Sequence, residues 1–392
     1  MSTRSRPKSS RARFILWRHE RLNVVESSPG KGSVLSDIPI RSSHGPGLRL
    51  LGQAGLAVLA PIVAVLLALA LSALLLQLNG FNAADLINVM VLGAVSDKRS
   101  IAEVLLKATP LILIGVGLCV AFRCRIWNIG AEGQLYAGAS AATACGVNFV
   151  ALPASFHIVL ILIAGSVAGA AWGLLAGLLR VYFRAGEVVT TIMLNYVAII
   201  FTSYLVTGPL RDPAASYPQS ARLARDLWLP RFMPPTRLHI GILIAIAAAL
   251  AVYAFLFRSS AGYAIRVVGL NPSAAAYAGI NVARNILLAI AISGGLAGLA
   301  GAIEIAGVNY RLYQDISPGY GFEGIAVALL ANNNPLGAIA SGVLFAVLRS
   351  GSELMQMSAQ VPQVLVFVIQ GLCILSVAAF AVLRRSGPRS AP

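Results

Sequence analysis

Residues 101–122 read IAEVLLKATPLILIGVGLCVAF, and this run decides the fold class. A helix that crosses the hydrocarbon core of a bilayer needs about 20 mostly apolar residues. The run is long enough, and its only charged residues, Glu103 and Lys107, stand near its start. It therefore predicts a transmembrane helix.

The composition extends this prediction to most of the chain. Of the 392 residues, 58% are hydrophobic and only 11% are charged, and the mean hydropathy is +0.80. Ordinary soluble domains are about 25% charged. The chain cannot supply a polar surface over most of its length, so lipid must cover much of it. The fold class expected is an all-α, polytopic transmembrane helical bundle.

About ten crossings follow from the apolar runs, some of them short or broken. The runs are 51–77, 101–122, 127–147, 157–180, 189–207, 238–257, 285–306, 322–332, 335–350 and 361–383. The domain organisation expected is a disordered basic tail at 1–48, a transmembrane domain at 49–385, and a short second tail at 386–392.

The basic residues predict an orientation. The net charge is +16, and ten of the thirty Lys and Arg lie in the first fifty residues. Most of the others stand at the ends of apolar runs, which is the positive-inside pattern. We expect both termini to be cytoplasmic and the 208–236 loop to be extracytoplasmic. Nucleic-acid binding is disfavoured, because most basic residues outside the tail stand at the ends of apolar runs.

Motifs for catalysis, metal or nucleotide binding are not found. Cys119, Cys124, Cys145 and Cys373 form no CxxC pair, and the four histidines are scattered, so no disulfide framework or metal site is indicated. The only Gly-Lys pair is followed by glycine, which excludes a phosphate-binding GxxxxGK[ST] loop. The chain is not expected to be an enzyme or to bind a cofactor.

A polar stretch, RCRIWNIGAEGQ at 123–134, opens one apolar run. It places Asn128, Glu132 and Gln134 near two glycines. A carboxylate at membrane depth is costly, and irregular backbone is tolerated there only inside protein or beside a cavity. This favours a broken or re-entrant helix start. The alternative is an ordinary polar helix start, with Glu132 favoured by the helix N-terminus.

A second polar set lies in GEVVTTIMLNY at 186–196. Glu187, Thr191 and Asn195 are spaced four residues apart, so they share one face of a helix. Such a stripe should face the bundle interior. It could line a path for a solute or make interhelical hydrogen bonds, which small polar groups supply in membranes.

Two four-residue segments echo each other: GAEG at 130–133 and GFEG at 321–324. Transporters built from repeats place paired broken helices at the substrate site. Glu323 would then correspond to Glu132. With 37 glycines in the chain, chance remains the alternative.

Small residues recur along two runs at nearly helical spacing, which permits close backbone approach between helices. They are Gly165, Gly169, Gly173 and Gly177 on one run, and Gly294, Gly295, Gly298 and Gly301 on the other.

The polar loop 258–284 predicts a short surface helix. Asn271 can cap it, Pro272 suits its first turn, and Gly279 can end it in the left-handed conformation. The helix could dock into a motor protein or be a plain surface helix.

At these residues the chain resembles permease subunits of bacterial ABC importers of the branched-chain amino acid and ribose type. Within that group it is most similar to nucleoside-importer permeases that work with basic-membrane-lipoprotein-type binding proteins. The resemblance covers roughly 51–385. It is carried by WNIGAEGQLYAGA (127–139), EVVTTIMLNYVA (187–198), GYAIRVVGLNPSAAAYAGI (262–280) and GFEGIAVALLANNNPLG (321–337).

The resemblance implies the partners and the coupling-loop residues, whereas the residues expected on the translocation path follow from the polar stretches described above. A second, different permease, two cytoplasmic ATPase subunits that use ATP and Mg²⁺, and an extracytoplasmic binding protein would complete an importer in the inner membrane. The ATPase-coupling loop would use Gly262, Arg266, Gly269, Asn271 and Pro272. The translocation path we expect comprises Asn128, Glu132, Gln134, Glu187, Thr191, Asn195 and Glu323.

Some alternatives stay open. The solute could be a simple sugar or riboflavin instead of a nucleoside. A proton-driven secondary transporter would use Glu132, Glu304 and Glu323 as a relay. A membrane scaffold that transports nothing is disfavoured by the intramembrane polar groups. The long basic tail departs from the family pattern and has no assigned role.

Overall fold

The structure is a computed structural model in which the described residues belong to one compact unit. It describes residues 92–148 and 153–359, with scattered positions between 66 and 88 and between 368 and 376. The expected basic tail, the second tail and most of the first and last expected spans lie outside the described residues.

The described part is helical and contains three isolated β-bridges but no strand. This confirms the all-α class. The helices are α1 (Lys98–Arg123), α2 (Ala131–Asn148), α3 (Ala154–Phe183), α4 (Glu187–Thr207), α5 (Gly241–Arg258), α6 (Ser260–Leu270), α7 (Pro272–Tyr277), α8 (Val282–Ile303), α9 (Tyr320–Leu330) and α10 (Pro335–Ala359). Short 3₁₀ turns lie at Gly93–Val95 and Arg225–Leu227, and α8 continues as a π-helical turn, Glu304–Asn309.

All eight expected spans that fall within the described residues are helices. Six of these helices are long and apolar enough to cross a membrane: α1, α3, α4, α5, α8 with its π-helical turn, and α10. Helix α2 opens with polar residues and is rich in Ala and Gly, which lowers its hydropathy. Helix α9 has 11 residues, about 16 Å of helix, roughly half a bilayer core. The count of ten crossings therefore stays a prediction.

Side-chain caps set several helix starts. Asp97 caps α1 by accepting a 2.6 Å hydrogen bond from the Ser100 N–H. Asn271 caps α7 by accepting from Ser273 and Ala274, as the sequence predicts. Gly279 follows α7 with φ +80°, the left-handed conformation expected of a helix-ending glycine.

Helix α1 forms the centre of the bundle, and 89% of its apolar window is buried. It packs against α5, α8, α9 and α10. The windows of α3 and α4 are only 22% buried, so these helices form the outer wall of the described bundle. Their exposed apolar side chains fit contact with lipid or with another membrane subunit.

Glycines bring α2, α3 and α8 into backbone contact. A Cβ at Gly169 would overlap the carbonyl of Gly294, and one at Gly138 would overlap the backbone of Gly298. Larger residues would force these helices apart. The expected close packing along the small-residue runs is confirmed.

The bundle has two chemically different ends. At one end, the segment between α4 and α5 pairs its backbone with the segment after α8; for example, the N–H of Ser220 donates to the carbonyl of Leu312 at 2.8 Å. We call this end the loop face. The opposite end, called here the arginine face, carries Arg123, Arg125, Arg180, Arg184, Arg258, Arg266 and Arg284.

Candidate functional site: polar groups where α2 and α9 begin

The chain between α1 and α2 is not helical, and buried amides hold it in place. The amide nitrogen of Asn128 donates to Gln134 and to Ser293, both at 2.9 Å, and its oxygen accepts from the N–H of Gly130. Asn128 is fully buried. A broken helix start inside protein is therefore present. The polar groups of Asn128 and Gln134 stabilise it through these hydrogen bonds.

The polar stripe of α4 divides into two parts. Asn195 is buried against the same broken start: its oxygen accepts from Gly133 N–H at 2.8 Å, and its nitrogen donates to the carbonyl of Ile129 at 2.9 Å. Thr191 is buried beside Gly130 and donates to the carbonyl of Glu187.

The carboxylate of Glu187, by contrast, lies away from this cluster. It reaches Arg180 on α3, with 3.3 Å between Oε2 and Nε. The prediction that the three residues share one helix face is correct. Glu187, however, lies one turn before Thr191, at the end of α4 that belongs to the arginine face. A carboxylate that ends a span can reach an exposed arginine there more cheaply than it can enter the interior.

The two echoing segments meet in space. The Oε2 atom of Glu132 accepts a 2.6 Å hydrogen bond from the N–H of Gly321. The backbones are so close that a Cβ at Gly321 would overlap the backbone of Glu132. A carboxylate at the first turn of α9 is also favoured by the helix dipole. Sequence reasoning matched the two segments, but it did not predict that one carboxylate would bind the other segment.

An ion pair follows directly after this contact. Glu323 on α9 pairs with Arg349 on α10, and both side chains are less than 10% exposed. The guanidinium lies 5.0 Å from the ring centre of Tyr320 and donates to the carbonyl of Pro318 at 3.4 Å. Sequence reasoning missed Arg349. Its signal was a lone arginine inside an apolar run, which needs a buried anion.

A third carboxylate, Glu304, lies in the π-helical turn after α8 and is 3% exposed. Its Oε2 accepts a long, 3.4 Å hydrogen bond from Asn309, and its Oε1 has no hydrogen-bond partner. One oxygen of Glu323 is also unpartnered. Glu132, Glu304 and Glu323 are called here the central carboxylates; the unpartnered oxygens of Glu304 and Glu323 are buried acceptors.

The coupling-loop residues lie together at the arginine face, away from the central carboxylates. Gly269 packs on the last turn of α1, where a Cβ would overlap the carbonyl of Arg123. Gly262 approaches the carbonyl of Phe255 equally closely. Asn271 and Pro272 start α7. Only glycine fits the two contacts, so α6 lies flat against the bundle.

An open groove of about 510 Å³ lies beside this contact, between the loop and the turn that follows α9. It is lined by Phe122, Arg123, Arg125, Arg266, Gly269, Leu270, Asn332 and Asn333. The turn between α9 and α10 joins the groove wall, because Arg123 Nε donates to the carbonyl of Asn333 at 2.9 Å.

The site residues expected from sequence therefore form three groups. Asn128, Gln134, Thr191 and Asn195 surround the broken start of α2. Glu132 binds the first turn of α9, and Glu323 lies on α9 and pairs with Arg349. Glu187 stands apart at the arginine face, where the five coupling-loop residues also lie. Among the described residues, no three His, Cys, Asp or Glu side chains are grouped so that they could hold a metal ion.

Comparison with known proteins decides the family. Residues 100–378 match the family described as branched-chain amino acid transport system / permease component. The chain belongs to this permease family. The matched range holds every predicted site residue.

Curated relatives align over most of their length. The guanosine ABC transporter permease protein NupP of Bacillus subtilis is 36% identical over 330 residues, 83% of this chain and 94% of that protein. The glucose ABC transporter permease protein TsgB13 of Haloferax volcanii is 35% identical, over 80% and 85%. The nucleoside ABC transporter permease protein NupB of Lactococcus lactis is 34% identical, over 75% and 84%. No solved structure matches the chain.

Proposed function

We propose that this permease is the transmembrane subunit of an ATP-driven importer that moves nucleosides across the bacterial cytoplasmic membrane. The observation that carries the proposal is the similarity, at 34–36% identity, to two permeases named for guanosine and nucleosides. The chemistry of the central carboxylates agrees with this proposal, because nucleosides present hydroxyl and ring N–H groups that can donate hydrogen bonds to carboxylates.

The proposed complex needs other subunits. A second permease of similar fold would cover the outer wall of the bundle, cytoplasmic ATPases would dock at the arginine face, and a binding protein would deliver solute at the loop face. The arginines support a cytoplasmic assignment for their end, in agreement with the positive-inside rule. Both termini would then be cytoplasmic.

A route for coupling is proposed through α9. Its first turn touches Glu132, and the turn that follows it touches Arg123 beside the coupling loop. A shift of the coupling loop would therefore displace one end of a short helix whose other end lies among the central carboxylates. Glu132 and Glu323 would meet the solute path, whereas Asn128, Gln134, Thr191 and Asn195 would hold the broken helix that shapes it.

Uptake measurements test the solute. Cells expressing the complete importer are supplied with labelled guanosine, adenosine, glucose or riboflavin. We expect saturable uptake of the nucleosides, and excess unlabelled nucleoside should suppress it. Uptake of glucose or riboflavin alone would replace the nucleoside assignment with one of the alternatives.

Proton-coupled transport is the second candidate. The observation that favours it is the buried carboxylates of Glu132, Glu304 and Glu323, which could carry protons. It predicts uptake driven by a proton gradient without any ATPase. The ATP-driven proposal predicts no such uptake.

A further inference from the structure

The arginine face has an unbalanced charge. Among the residues that the structure describes, it carries seven arginines and one carboxylate, Glu187. That carboxylate is already paired with Arg180. The remaining guanidiniums at this end have no carboxylate partner in the described part of the chain.

Two of these cations converge on one aromatic ring. The Cζ atom of Arg123 lies 5.0 Å from the ring centre of Phe257, and that of Arg266 lies 5.2 Å from it. The ring attracts each cation, but the two cations repel each other. An anion bound beside both would remove this repulsion.

The groove next to the pair offers unused hydrogen-bonding groups. Nε of Arg266 and Oδ1 of Asn333 are buried, and neither has a hydrogen-bond partner among the described residues. Arg125 adds a third guanidinium to the lining. Buried polar groups are normally satisfied. The unpartnered N–H of Arg266 and the three guanidiniums suit a negatively charged occupant, whereas Oδ1 of Asn333 is an acceptor and would need a separate donor.

Exposed apolar side chains near the groove indicate that the occupant is a protein. Leu270 and Tyr277 project from the coupling loop, with 74% and 97% of their surfaces exposed. Exposed aromatic and aliphatic anchors beside arginines are typical of protein interfaces. Guanidinium groups bind carboxylates in a two-pronged geometry that adds specificity.

We propose that the groove formed by Arg123, Arg125 and Arg266 receives a carboxylate side chain of the partner ATPase subunit. The proposal rests on the importer function above and deepens it. It extends the docking surface beyond the coupling loop, to the last turn of α1 and to the turn between α9 and α10. The acidic side chain would thus contact the turn at the end of α9. It would also contact the end of α1, from which the chain continues to the broken start of α2 and so to the start of α9.

The test measures how tightly the ATPase subunits bind the permease pair. The pair is placed in nanodiscs of zwitterionic lipid, with or without added anionic lipid. The dissociation constant is measured at low and high salt for wild type, Arg266→Gln, Arg123→Gln/Arg266→Gln and Arg266→Lys. Arg284→Gln is the matched control, because Arg284 is exposed on the same face outside the groove lining. Membrane yield and melting temperature establish that each variant folds.

We expect the double variant to bind about tenfold more weakly than wild type and to lose most of its salt dependence. Arg266→Lys should retain much of the affinity, and Arg284→Gln should bind like wild type. Arg266→Gln also removes the contact of the guanidinium with the Phe257 ring, so membrane yield and melting temperature are needed to separate docking from folding.

Equal affinity for Arg266→Gln, the double variant and Arg284→Gln would overturn the proposal. Weakening that appears only in nanodiscs containing anionic lipid would also overturn it, and would assign the groove to lipid phosphate. If the wild-type pair binds no ATPase at all, the importer function itself fails, and that result is distinct from either of the others.

Discussion

The carboxylate of Glu132 accepts a hydrogen bond from the backbone N–H of Gly321, although 189 residues separate the two in sequence. The contact joins the broken start of α2 to the start of the half-length helix α9. It places a carboxylate where the exposed N–H groups and the dipole of α9 favour negative charge. The proposed solute path and its coupling to the arginine face both depend on this junction.

Removing the charge of Glu132 should slow transport. Glu132→Gln keeps an acceptor oxygen for Gly321 but loses the interaction of a full charge with the start of α9. We expect the initial rate of nucleoside uptake to fall several-fold while membrane level and assembly with the ATPase persist. Asn195→Ala should act similarly, since it releases the broken start. If both variants transport normally, these groups serve packing alone.

The pair of Glu323 and Arg349 predicts a non-additive effect on stability. Arg349→Gln leaves a carboxylate buried without its partner, which typically costs about 3–5 kcal/mol. The double variant Glu323→Gln/Arg349→Gln removes both charges and should recover most of that loss. Thermal unfolding in detergent compares wild type with the two variants. A double variant no more stable than Arg349→Gln would contradict the pairing.

Gly269 should be intolerant of any side chain. A Cβ at this position overlaps the carbonyl of Arg123, so Gly269→Ala must lift α6 from the end of α1. We expect ATPase activity in the assembled complex to lose its stimulation by loaded binding protein. Gly186→Ala is the control, because no atom lies within 4 Å of a Cβ there. Equal stimulation in both variants would make the close contact irrelevant to coupling.

The two faces should differ in accessibility from outside the cell. Ser216 lies on the loop face and Ser273 on the arginine face, and both are exposed. Single cysteines at these positions, with the four native cysteines replaced, should react differently with an impermeant thiol reagent. We expect labelling at 216 in intact cells and at 273 only after lysis. Equal labelling from outside would reverse the orientation assigned to the arginines.

Local chemistry made several elements predictable. Asn271, Pro272 and Gly279 define a short helix through interactions between near neighbours, and α7 forms where they indicate. The glycine-rich runs of α3 and α8 predicted close packing. A missing side chain permits close backbone approach whichever helix lies opposite.

Long-range pairing was harder to predict. The partner of Glu323 on α9 is Arg349 on α10, 26 residues further along the chain. No local spacing indicates which anion an intramembrane arginine binds. Glu187 obeys its helical periodicity, yet its carboxylate leaves the stripe because Arg180 is within reach at the end of the span. Where a charged group finds its partner depends on tertiary packing, which periodicity does not encode.

The central claim is that this permease moves nucleosides at the expense of ATP hydrolysed by partner subunits. The direct measurement is uptake of labelled guanosine into liposomes that contain the permease pair and the binding protein, with or without the ATPase subunits and ATP. The account predicts accumulation against a gradient only when both ATPase and ATP are present. Accumulation driven by a proton gradient in liposomes without the ATPase would contradict it.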